Sequence, residues 1–240
     1  MIAPAPAAQR RVVRLLVDAL GASMRALAQM VSVFALFLLR REWLDLRDDL
    51  ARIYRAHVNA LGSPPTPLAQ QLLISGEDHR FFRHRGIDPI AVCRAMWRGI
   101  VLGQREGAST IEMQIVRVVS RRFERTLRRK VRELALATLV AREIPKHALP
   151  SLYLRIGYFG WRMNGFEGAC RRLGVSPEAL TPGQTAALVA RLKYPQPRLT
   201  SPDRWNKINT RAQHLLRLHS QHKDDRTYAG LLSEPRYESV

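Results

Sequence analysis

Twelve residues, Glu77-Asp78-His79-Arg80-Phe81-Phe82-Arg83-His84-Arg85-Gly86-Ile87-Asp88, leave this chain few ways to fold. They set two adjacent carboxylates close to two adjacent phenylalanines, with three arginines and two histidines in the same run. A solvated surface has no use for Phe81-Phe82, and an apolar core has none for Glu77-Asp78. The run therefore belongs at the edge of a core, where partial burial tunes an acid and neighbouring cations keep it charged. A second carboxylate, Glu133, sits in a still more cationic context. Paired carboxylates point to general acid/base chemistry, and sugar chemistry is the commonest case.

The surrounding pattern is helical. Leu46, Leu50, Ile53, Tyr54 and Val58 recur at helical spacing within about 42–61. Gly62-Ser63-Pro64-Pro65 is a firm break between an N-terminal segment and the main body. Pro67 opens a helix that runs into Glu77, and Asp88-Pro89 starts another that Gly103 closes. Ser109 or Thr110 caps the next helix. Strand-like alternation is scarce and no internal repeat is present, so the expectation is a mainly α protein.

On a wheel of about 100° per residue, Leu127, Val131, Leu134 and Thr138 of the segment 125–143 share one sector, while Arg125, Arg129 and Glu133 lie opposite. This predicts a helix that buries the aliphatic stripe and presents two arginines and a carboxylate elsewhere. Arginine ahead of glutamate is the weaker order for helix stabilisation, so helix design does not explain the line. From 117 to 132 there are eight basic residues and one acid, Glu124.

Residues 1–9 read as a disordered tail. The apolar run 26–39 has 14 residues, short of the roughly 20 that a bilayer span requires. Extending it back to Ala19 takes in Arg25, and arginines flank both ends, so charge gives no orientation. No cleavage site follows. The segment is expected to be a membrane anchor or an in-plane interfacial helix, with a buried core helix as the alternative.

A hydrophobic fraction of 46% in 240 residues suffices for one large domain, alone or with a small lobe. The net charge of +19 implies an anionic partner. No nucleic-acid recognition motif accompanies it, and none is expected to bind. Cys93 and Cys170 share no metal-ligand spacing and form no disulfide framework.

The run 77–88 resembles the first signature of the peptidoglycan glycosyltransferases, glycosyltransferase family 51. These are the monofunctional biosynthetic transglycosylases and the glycan-polymerising domains of class A penicillin-binding proteins. Gly107-Ala108-Ser109-Thr110-Ile111-Glu112-Met113-Gln114 resembles their Gly-x-Ser-Thr-Ile-x-x-Gln signature, and Arg129-Lys130-x-x-Glu133 their Arg-Lys-x-x-Glu motif. The segment 146–154 resembles their Lys-x-x-Ile-Leu-x-x-Tyr-Leu segment, with Phe159-Gly160 at the family's spacing. The resemblance covers about 65–220. It divides the chain into an N-terminal tail and membrane-associated segment (1–62), a glycosyltransferase domain (63–220) and a polar, exposed C-terminal tail (221–240). No cross-linking domain is expected within it.

What the resemblance implies is specific. The fold is mainly α, a lysozyme-like large lobe with a smaller membrane-proximal lobe and an N-terminal membrane-associated helix. The reaction polymerises lipid II into glycan strands and releases undecaprenyl pyrophosphate, with inversion at the anomeric carbon. Glu77 is the general base toward the acceptor's 4-hydroxyl. Glu133 assists near the leaving group, by orienting cations or binding a divalent metal. Arg117, Arg125, Arg129 and Lys130 stabilise the pyrophosphate, and Asp78, His84, Ser109, Thr110 and Gln114 complete the substrate contacts. The implied cofactor is a divalent cation, Mg or Mn, at the pyrophosphate, and no residue is otherwise assigned as a metal ligand. The implied partners are lipid II, the growing glycan strand, the membrane and other cell-wall synthesis proteins. The implied location is the periplasmic face of a bacterial inner membrane.

The chain also departs from the family. Glu112-Met113 stand where Thr-Gln is usual, Val118 and Arg155 where Asn is usual, and Ala141 where Glu is common, while Pro150 interrupts the fourth motif's helix. These departures leave open a degenerate, non-catalytic relative that binds lipid-linked precursors or cell-wall synthesis proteins.

Overall fold

The structure of the chain, a computed structural model, describes residues 23, 26, 29–59, 64–103, 107–223 and 227–231. The expected tail at 1–9, the flanking arginines at 10, 11, 14 and 25, and Gly62-Ser63 of the expected break lie outside the described residues. So do 224–226 and 232–240 of the expected C-terminal tail.

The described chain is mainly helical, as expected. In order come α1 (Arg40–Val58), α2 (Pro67–Glu77), a 3-10 turn at Phe81–Arg83, α3 (Pro89–Leu102), α4 (Ile111–Val119), α5 (Leu127–Glu143) and α6 (Leu149–Ile156). A two-stranded antiparallel hairpin, β1 (Tyr158–Gly160) and β2 (Met163–Asn164), leads to α7 (Gly165–Leu173), α8 (Pro182–Lys193) and α9 (Pro202–Lys223).

Local chemistry sets most of these ends. Thr66 caps α2 by accepting from Ala69 N, with Pro67 in the first turn. Asp88 accepts from Ile90 N and Ala91 N to start α3, and Gly103, left-handed, closes it. Thr110 and Thr126 cap α4 and α5, and Thr181 with Gln184 forms a capping box on α8. Pro150 does not interrupt a helix. Helix α6 begins at Leu149, so Pro150 sits in the first turn, where its missing N–H has no partner to lose.

Helix α2 is the central element. Leu72, Leu73 and Ile74 are fully buried, and it packs on α6, α8 and α9. Helix α4 packs on α5 and α6, and α1 lies across all three through Trp43, Leu46 and Leu50. Burying side chains of this size contributes about 1.5–3 kcal/mol each. The expected exposed tail in part returns to this core. Tyr228 is buried, its hydroxyl hydrogen-bonds Ser75 of α2, and Gly230 lies against Phe82.

Helix α5 corrects the wheel. Leu127 and Val131 are 80% and 59% exposed, whereas Glu133, on the opposite side, is 2% exposed. Thr138 is buried as expected, among Leu136, Ala137, Leu139 and Val140. The first two turns of the helix thus turn their polar side inward, because the arginines of α4 and α5 neutralise Glu133 there and only the last turns meet the apolar core.

Two apolar surfaces stay uncovered by the described residues. Residues 29–38 are helical and expose Met30, Val33, Phe34 and Phe37 while burying Ser32 and Ala35. Their large side chains therefore do not form a core helix. Helix α3 buries no side chain and exposes Met96, Trp97, Ile100 and Val101. Among the described residues, no helix is long and apolar enough to cross a membrane.

Where α1 meets α6, burial and the Arg155 guanidinium lower the His57 pKa from 6.5 to about 4, and its Nδ1 is buried without a partner. The unfolded chain then binds more protons than the folded one between those values. The resulting stability is complete above pH 6.5 and is lost as pH falls toward 4. His57→Gln is expected to flatten this acid limb of the Tm-against-pH curve, measured by thermal melts from pH 4 to 7.

Candidate active site

Glu77 ends α2, and three elements meet at its carboxylate. Arg211 of α9 donates from Nη2 to Gly76 O at 2.7 Å and to Glu77 Oε1 at 3.0 Å. Gln114 of α4 donates to Glu77 Oε2 at 3.3 Å. Gly76 makes the approach possible. A Cβ there would lie 2.9 Å from Arg211 Nη2 and 2.2 Å from Leu215 Cδ2. The Glu77 side chain stays 24% exposed, so one side of the held carboxyl group is open.

Asp78, His84 and Thr110 form the buried support behind it. His84 Nε2 lies 3.0 Å from both Asp78 oxygens, and Asp78 Oδ2 accepts from Ile111 N, the first amide of α4, at 3.2 Å. Thr110 caps α4 and donates its hydroxyl to Gly86 O at 2.8 Å. Gly86 has φ +89 and packs so closely on α5 that a Cβ would meet Ala137 O at 2.4 Å. The N–H groups at the start of α4 are thus engaged by the protein's own carboxylate and hydroxyl. Phe81 is fully buried, edge-on to His84.

The second carboxylate is more enclosed. Arg117 donates from Nε and Nη2 to the two oxygens of Glu133 at 2.8 and 3.0 Å, and Arg129 Nη1 donates to Oε1. Hydrogen bonding to Glu133 raises the Arg117 pKa against the effect of burial. The Lys130 ammonium donates to Ser109 Oγ, and burial lowers its pKa. Burial, with the Glu77 charge, raises the phenol of Tyr153, a residue also felt by Arg117. Each guanidinium carries five N–H donors, so Arg117 and Arg129 keep several beyond those given to Glu133. A cavity of about 400 Å³ opens beside Arg129 and Glu133, lined across from them by Glu42, Asp45 and Asp49 of α1, with Glu42 paired to Arg132 at 2.7 Å.

The structure therefore brings Glu77, Gln114, Arg117, Arg129 and Glu133 into one connected set, with Lys130 and Ser109 bonded beside it. Arg125 stands exposed ahead of the Thr126 cap, outside these contacts. Sequence reasoning missed Arg211, which lies 134 residues from Glu77 with no motif to mark it. It also missed Lys146, although Glu112 gave the signal. Glu112 is fully buried, and the Lys146 ammonium donates to its Oε1 while sitting 3.9 Å over the Phe81 ring. The departure in the second motif is answered by a lysine in the fourth.

A divalent cation does not fit at Glu133, because guanidiniums already hold both oxygens. Among the described residues, Asp78, His84 and Glu112 bring ligand atoms within 4.8 Å of one another. That cluster is buried, and Lys146 already supplies its cation.

A family model described as Transglycosylase matches residues 50–219. The chain is 34% identical over 131 residues to penicillin-binding protein 1A of Escherichia coli strain K12, covering 54% of this chain and 15% of that protein. It is 36% identical over 132 residues to a biosynthetic peptidoglycan transglycosylase of Rhodospirillum centenum, covering 55% and 57%. It is 34% identical over 142 residues to penicillin-binding protein 1C of E. coli, covering 58% and 18%. The aligned part thus spans less than two thirds of each of these relatives.

Removing one partner of a buried ion pair is expected to cost about 3–5 kcal/mol, because the other charge is left uncompensated. Lys146→Met should therefore destabilise strongly in urea unfolding, and the double variant Lys146→Met/Glu112→Gln should recover most of the loss. Additive losses would show that the two side chains do not interact.

Proposed function

The chain belongs to the transglycosylase family, and from that membership and the geometry of its two carboxylates we propose that it polymerises lipid II into peptidoglycan glycan strands. The observation that carries this reading is one face of α4. Gln114 and Arg117, three residues apart, hold Glu77 and Glu133 respectively. One rigid helix thus sets a base and a cation-clamped acid on the same side.

Glu77 takes the proton of the acceptor sugar's 4-hydroxyl as that oxygen bonds to the donor's anomeric carbon. The bond from that carbon to the pyrophosphate oxygen breaks on the opposite face, so configuration inverts and undecaprenyl pyrophosphate departs. Arg211 and Gln114 each occupy only part of one carboxylate oxygen of Glu77, leaving lone pairs for the incoming proton. The remaining N–H donors of Arg117 and Arg129, with Lys130 and the exposed Arg125, meet the charge that develops on the pyrophosphate. Glu133 acts through these guanidiniums by fixing their orientation. Asp78, His84 and Thr110 hold the Glu77 turn rather than touch substrate.

The chain works at the outer face of a bacterial cytoplasmic membrane in this reading. The uncovered apolar side chains of 30–37 and of α3 support it. Helix α3, which buries nothing, belongs to the small membrane-proximal lobe, and the helices around α2 form the lysozyme-like large lobe.

Incubation of detergent-solubilised protein with labelled lipid II, with products resolved by size, tests the reading. Glu77→Gln should lose at least about a hundredfold in rate while melting like the parent. Arg117→Lys, which keeps the charge but loses the fork, should lose about tenfold or more. Lipid II bound but never polymerised by the unaltered chain would instead identify a precursor-binding relative.

A further inference from the structure

We propose that Trp161, Arg162, Arg172 and Arg198 form a docking surface for an acidic, carboxylate-rich segment of a partner protein. The surface lies outside the catalytic set and does not rest on the reaction assigned above. Three guanidiniums from three elements converge on one indole. Arg162, from the hairpin turn, has its guanidinium carbon 4.7 Å from the Trp161 ring. Arg172, from the last turn of α7, lies at 5.4 Å, and Arg198, from the segment after α8, at 5.5 Å.

The arrangement is built in advance. Trp161 N donates to Gln196 O at 2.7 Å, and Gln196 N donates to Phe159 O at 3.0 Å. Gln196 Oε1 accepts from the buried Arg191 at 2.8 Å. The hairpin and the segment carrying Arg198 are thus fixed to each other. Arg162 holds φ +56, a left-handed conformation that a side chain with a Cβ adopts only against a steric cost. Preformed geometry of this kind lowers the entropy lost on association.

The charge is uncompensated among the described residues. Among the described residues, none of the three arginines is in an ion pair, and the neighbouring acid Glu167 is shared by Arg155 and Arg171 at 3.2 and 3.8 Å. The three side chains are exposed and Trp161 is half-buried. Contact with a ring face leaves guanidinium N–H donors unused, and those forks match carboxylates in a bidentate manner. Tryptophan and arginine are also the residues that dominate interface hot spots.

The same details favour a protein over the other polyanions. The single indole is already attended by guanidiniums and offers no series of free rings on which bases could stack. The large apolar side chains that suit a membrane are concentrated on 30–37 and α3 instead.

The test uses the full chain and a fluorescein-labelled peptide of eight glutamates, followed by anisotropy at fixed ionic strength. R162A/R172A/R198A is expected to weaken binding by about tenfold or more. A control with the same loss of charge at exposed positions elsewhere, R41A/R217A/K223A, should stay within about twofold, and Trp161→Phe should abolish the peptide-induced change in tryptophan emission. Phosphatidylglycerol vesicles and a 20-base-pair DNA duplex are titrated in parallel. Absence of peptide binding, equal loss in the two triple variants, or a loss of vesicle or DNA binding that matches the peptide's would each overturn the proposal.

Discussion

One face of α4 governs the site. Gln114 and Arg117 stand three residues apart and hold two glutamates that arrive from different helices. The position of α4 is in turn set from behind, because Asp78 accepts from its first amide while Thr110 caps it and ties it to Gly86. The residue next to Glu77 therefore anchors the helix that holds the Glu77 carboxylate.

The two acids are held in opposite ways. Glu77 remains partly open to solvent and is held by one guanidinium and one amide, an arrangement that leaves room to accept a proton. Glu133 is buried under two arginines, which between them hold both of its oxygens. The cost of burying it is visible in α5, where Leu127 and Val131 face out so that Glu133 can face in. Charge, not hydrophobic periodicity, decides the orientation of the first turns of that helix.

Departures from the family's usual residues are met within this fold by pairing. Glu112 in the second motif finds Lys146 in the fourth, and Arg155 finds Glu167 of α7. Pro150 falls in a first turn. Met113 and Val118 are plain apolar residues on α4, and nothing in the structure explains why they replace polar ones. The pairs couple segments far apart in sequence, so Glu112 and Arg155 look disruptive until their partners are brought to them.

The helix starts were legible because capping is local. Thr66, Asp88 and Thr110 with their following residues carry the whole interaction. So were the acids Glu77 and Glu133, since each sits in a short motif. Arg211 was not, because nothing within a turn of it refers to Glu77, and the inward face of Glu133 was not, because a wheel weighs side chains by hydropathy and ignores a neutralising partner on another helix. By itself the sequence determined the helical class, the caps and the family, and it singled out the two glutamates as candidates. Only the tertiary structure decided which face of α5 is buried, which arginines hold which acid, and that Lys146 answers Glu112. Those outcomes depend on charges brought together across long separations, where the desolvation cost of each is offset only by the other.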